Sequence, residues 1–73
     1  MSNSKPEQSF RPHEGPYRGR PVEEIVQDPV GRAWLAEHIS MQSEEHQRIG
    51  LAWLSWGLQR EVTLEDLDEI SRS

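Results

Sequence analysis

The chain has no cysteine, no long apolar run and no stretch in which apolar and polar residues alternate. The first absence excludes disulfides and cysteine-based zinc sites. The second excludes a membrane helix, which needs roughly 18 consecutive apolar residues; the front end also lacks the apolar core of a secretory signal. The third leaves no candidate strand. Apolar residues are scarce as well, at 33% of 73 residues. A chain this short buries only about 60% of the surface its unfolded form exposes. Stability must come from helix caps, a small apolar core or a partner, and a cytoplasmic location is expected.

What apolar content there is lies away from the front. Between Met1 and His13 only Met1 and Phe10 are apolar. Residues 1–13 therefore read as a flexible, disordered polar tail with no reason to pack, and residues 14–73 as a single small helical domain. Charge divides along the same line. Residues 1–20 carry Lys5, Arg11, Arg18 and Arg20 against Glu7 and Glu14, leaving +2. Residues 21–73 carry four arginines against eleven acids, leaving −7, and the chain as a whole is −5. A general nucleic-acid binder is normally basic. A basic front on an acidic body favours a protein partner, or a very local phosphate contact.

Glycine and proline punctuate the start of the domain. Gly15, Pro16, Gly19 and Pro21 fall within eight residues and predict an ordered turn over 14–21. Pro21 can open a short helix in which Val22, Ile25 and Val26 share a face. Asp28-Pro29 predicts a second helix to about residue 39, with Val30, Trp34, Leu35 and Ile39 inward. Gly31 inside it costs about 1 kcal/mol in propensity and predicts a close neighbour, with Trp34 or Tyr17 as candidates. Ser40 to Ser43 form a hinge, and Ser43 is the expected cap of a helix from 44 to about 59. That helix carries two apolar stripes, Ile49, Ala52, Trp53 and Trp56 beside Leu51, Leu54 and Leu58. Thr63 and Asp66 suggest a capping box, and Val62 with Leu67 a hydrophobic staple. A last helix from 64 to about 71 should then turn Leu64, Leu67 and Ile70 onto the long helix. The expected fold is all-α, a small bundle of three to four short helices behind a disordered N-terminal tail.

The chemistry of enzymes is hard to place on this chain. His13, His38 and His46 are not spaced as a helical pair and read as three unrelated histidines, short of the three or four converging ligands zinc needs. No serine sits in a glycine-flanked elbow. A water-excluding cleft also needs room that 73 residues hardly provide. No catalysis, metal or cofactor is expected. The acidic run from Glu61 to Glu69 could mimic a row of phosphates, as an inhibitory decoy would, but its leucines follow a core period. Trp34 and Trp53 suit the core, whereas Trp56, near a helix end, is either core or an exposed anchor. Tyr17, Arg18 and Arg20 place an aromatic face and two guanidinium forks on one tight loop, able to grip a phosphate or carboxylate. The plainer alternative pairs both arginines with Glu23, Glu24 or the acidic C-terminal helix.

Gly15-Pro16-Tyr17-Arg18-Gly19-Arg20-Pro21 with Val22-Glu23-Glu24-Ile25, then Asp28-Pro29 and Trp34-Leu35, resembles the small C-terminal module of DnaQ-type exonucleases. The likeness covers residues 15–35. Pro16 departs from a usual basic residue, and Gly31-Arg32-Ala33 stands where an aromatic belongs. With no exonuclease domain present, this resemblance implies a recruitment module that binds DNA or RNA through its Tyr-Arg-Gly-Arg loop. As a whole, with its polar basic tail and acidic helical body, the chain also resembles small phage-encoded transcription regulators. That resemblance implies a protein of the host bacterial cytoplasm that binds the large subunits of RNA polymerase, inhibits sigma-dependent initiation and promotes antitermination; a monomer is expected. Arg11, Tyr17, Arg18, Arg20 and Trp56 are the candidate partner-binding residues. Direct nucleic-acid binding is then weak, and no membrane is involved.

Overall fold

Proline and aspartate set the first two helix starts. In a computed structural model, which describes residues 4–72, Pro21 caps α1 (Val22–Ile25) and Asp28 caps α2 (Pro29–Ser40). The Asp28 carboxylate accepts from the Val30 N–H at 3.1 Å, satisfying one of the donors that a helix start leaves open. The chain continues into α3 (Glu44–Leu58) and α4 (Asp66–Ser71). All regular structure among the described residues is helical. Among the described residues no helix is long and apolar enough to cross a membrane.

α2 is central. It packs against α3 and α4, and α1 packs against α2 and α3. The core draws on every element: Val22, Ile25 and Val26 meet Leu35, Ala36 and Ile39, with Trp53 and Leu54 from α3 and Val62, Leu67 and Ile70 from the C-terminal part. Gly31 has the close neighbour expected of it, but not an aromatic one. A Cβ there would collide with the Ile25 carbonyl oxygen, so the glycine lets the end of α1 rest on α2. Arg32 finishes that junction by donating from Nη1 to the Val26 carbonyl at 2.9 Å.

Several expectations need correction. Val30 is 68% exposed, since its place in the first turn of α2 points away from the core. Ser43 holds the N-cap position of α3, yet its hydroxyl makes no capping bond. On α3 the buried face is neither stripe but the seam between them, Gly50, Trp53 and Leu54. Ala52 is exposed, and Ile39 fills the space over Gly50, where a Cβ would stand 2.6 Å from its Cγ2. The last helix begins at Asp66, Leu64 is 54% exposed in the preceding turn, and α4 packs on α2 rather than on the long helix. The redirection starts at Gln59, which ends α3 with φ 54 and ψ 40, in the left-handed region. The Val62 N–H then bonds the Ser55 hydroxyl at 3.0 Å, and the chain crosses to α2. Half of the expected capping box is present: the Asp66 carboxylate accepts from the Thr63 N–H at 2.9 Å.

Part of the front segment is held against the helices. Residues 1–3 of the expected tail lie outside the described residues, while 4–13 carry no helix and are mostly exposed. Pro12 is buried and Phe10 lies against the core. Trp53 donates its indole N–H to the Gln8 carbonyl at 2.6 Å, and Lys5 pairs with Glu23 at 2.8 Å. The ring of Phe10 and the indole N–H of Trp53 give this polar stretch its reason to stay.

Candidate functional site: an arginine loop and a histidine cleft

Two backbone hydrogen bonds bring the front segment alongside the turn. The Gly19 N–H donates to the Pro12 carbonyl at 3.0 Å, and the Val22 N–H to the Phe10 carbonyl at 3.1 Å. Residues 10–12 therefore run beside 19–22, and Arg11 joins Arg18 and Arg20 on one loop. Within the turn, the Arg18 N–H reaches the Gly15 carbonyl and the Arg20 N–H the Tyr17 carbonyl, at 3.2 and 3.0 Å. The loop is a hydrogen-bonded body, not a loose arm.

An aromatic ladder supports it. Tyr17 packs on Trp34 with centroids 5.3 Å apart, and Trp34 stacks on His38 at 4.8 Å and 13°. Gly15 lies against the Trp34 indole. Trp34 is thus the half-buried platform under the loop, and only Trp53 of the two expected core tryptophans is fully buried.

The arginines of this loop differ from the other cations. Lys5, Arg48, Arg60 and Arg72 each pair with a carboxylate, and Arg32 bonds a carbonyl. Arg11, Arg18 and Arg20 are exposed and, among the described residues, meet no carboxylate and no hydrogen-bond acceptor. The alternative in which Arg18 and Arg20 pair with Glu23, Glu24 or α4 is not what is found; Lys5 occupies Glu23. Trp56 is half-buried, with its ring edge-on to Trp53 at 5.4 Å and Lys5 Nζ 6.0 Å above it. No hydrogen bond or ring contact among the described residues joins it to the loop.

Beside the loop the three histidines, expected to be unrelated, line one cleft of about 340 Å³ together with Phe10, Arg11 and Glu14. A second hollow of about 360 Å³ shares Glu14 and His38 and extends the cleft to Trp34, Glu37 and Met41. Burial lowers the pKa of His38; Glu14 opposes that shift and His46 adds to it. Among the described residues no group of three or more acidic or histidine side chains is placed to hold a metal ion. Sequence reasoning missed this cleft because its histidines come from the front segment, α2 and α3, at spacings that share no helical face.

No family model, curated protein or solved structure matches the chain. The two resemblances therefore rest on their own residues, 15–35 for the exonuclease module and the whole chain for the phage regulators.

Proposed function

We propose that this protein is a non-enzymatic regulator that docks its arginine loop on the large subunits of bacterial RNA polymerase, inhibiting sigma-dependent initiation and promoting antitermination. One observation carries the docking part: Arg11, Arg18 and Arg20 stand exposed and, among the described residues, unpaired on a hydrogen-bonded loop, in a chain of net charge −5. Guanidinium forks held this way suit carboxylates on a protein surface, and like charge on the body disfavours other orientations. The polymerase as partner follows from the whole-chain resemblance.

The test is retention of polymerase large subunits from a bacterial lysate at low salt by the tagged chain. An Arg18→Ala, Arg20→Ala variant should lose them while keeping its helical circular dichroism. Purified polymerase should then make fewer sigma-dependent initiations and read through terminators more often when the chain is added. Failure to retain polymerase sinks the proposal. The accessory-module reading, direct DNA or RNA binding, has less support, because Tyr17 already packs on Trp34 and the net charge is −5. It requires a gel shift that falls steeply with salt.

A further inference from the structure

Of the loop's three arginines Arg11 lines the histidine cleft, Arg18 and Arg20 do not, and the lining is mixed in an informative way. Phe10, Trp34 and Met41 supply apolar surface, and Met41 is 74% exposed. Arg11, His13, His38 and His46 supply positive charge or the capacity for it. Two carboxylates face the same space, Glu14 from the loop and Glu37 from α2. Glu37 lines only the Trp34–Met41 half; the half bounded by Arg11 and His46 has Glu14 alone. Glu14 is exposed, and it is the carboxylate that favours protonation of His38. A carboxylate in this position is what the cleft is already arranged to receive.

We infer that the cleft is a docking site for an acidic segment of a partner protein, an apolar side chain seated between Trp34 and Met41 and flanking carboxylates set against Arg11 and the histidines. This rests on the reading of the loop as a protein-docking surface and adds the chemistry of what it meets. Charge complementarity selects the occupant. With its histidines protonated the lining sets Arg11 and three imidazolium rings against Glu14 and Glu37, while the residues beyond 20 carry −7 as a whole, so an acidic segment is favoured at this face. A protonated imidazole donates from both ring nitrogens, a neutral one from a single nitrogen. Bound carboxylates therefore stabilise the charged histidines, and by linkage the segment binds more tightly as pH falls through the histidine range. The intramolecular Glu14 competes for the same groups.

The test uses the full chain and a capped Glu-Glu-Leu-Glu-Glu peptide, followed by NMR of the histidine ring and methionine methyl signals at about pH 6 and about pH 8. The ring signals of His13, His38 and His46 and the Met41 methyl should move, and affinity should be higher at the lower pH. Arg11→Ala should weaken binding about tenfold, the order expected for one charge-assisted contact. Glu14→Gln should tighten it. Both residues are exposed, so neither change threatens the fold. Equal binding of a Gln-Gln-Leu-Gln-Gln peptide, no preference for the lower pH, or unmoved histidines at millimolar peptide each overturn the inference. If the chain retains polymerase while the peptide leaves the histidines unmoved, this inference fails and the polymerase reading stands. Peptide binding without polymerase retention has the opposite meaning.

Discussion

The indole of Trp34 covers Gly15 so closely that a Cβ on the glycine would stand 2.9 Å from Cζ2. Gly15 also has φ +88, a conformation that side chains resist. Gly19, with φ +79, shares the conformation but has nothing within 4 Å of its would-be Cβ. The two glycines separate backbone strain from crowding. Gly19→Ala should cost about 1 kcal/mol. Gly15→Ala adds the displacement of Trp34 and should cost about 2–4 kcal/mol in urea unfolding. Equal costs would mean that the indole gives way freely.

Gln59 offers the reverse experiment. Its left-handed backbone is a place glycine fills in many helices. Gln59→Gly relieves that strain but loses the side-chain bond to the Trp56 carbonyl and loosens the unfolded chain. A net gain of about 0.5 kcal/mol is expected, read as a higher urea midpoint.

His38 makes stability depend on pH. Its folded-state pKa lies below the unfolded value, chiefly because burial disfavours the charged ring. The unfolded chain thus binds the proton more readily. The contribution of His38 is complete above about pH 6.5 and is lost as pH falls from there through the folded value. The melting temperature of the wild type should drop over that interval, and His38→Gln should drop less.

Asp66 acts lower on the scale. The Thr63 N–H and hydroxyl, with Arg60 nearby, hold its carboxyl below the usual aspartate range. Its stabilisation is present above about pH 4 and disappears as pH falls through the lowered folded value. Asp66→Asn should therefore be less stable than wild type at neutral pH, and the two urea midpoints should converge in acid.

The first two helix starts were the most legible part of the fold, because Pro21 and Asp28-Pro29 act over three or four residues, whereas Thr63 with Asp66 placed the last helix two residues early. The buried seam of α3 was less so. Its centre includes Gly50, which carries no hydrophobic signal, while the leucines and tryptophans on either side do. The course of α4 was not readable, since it follows from a left-handed Gln59 and a Ser55 side-chain bond. In the candidate site, Arg18 and Arg20 were visible as loop residues from the glycine and proline spacing. Their lack of acidic partners was not, because Lys5 takes Glu23 from 18 residues away. The joining of Arg11 to that loop depends on backbone bonds to the carbonyls of Phe10 and Pro12, which no side-chain pattern records.

The bond from Trp53 to the Gln8 carbonyl spans 45 residues. On a ribosome adding roughly 5–20 residues per second, Gln8 emerges well before its anchor exists. For a few seconds the front segment has neither the indole donor nor the α3 surface to lie on. It can only be set in place late, after α3 has been made and released. The basic front segment is thus made before its anchor and takes its final position only after α3.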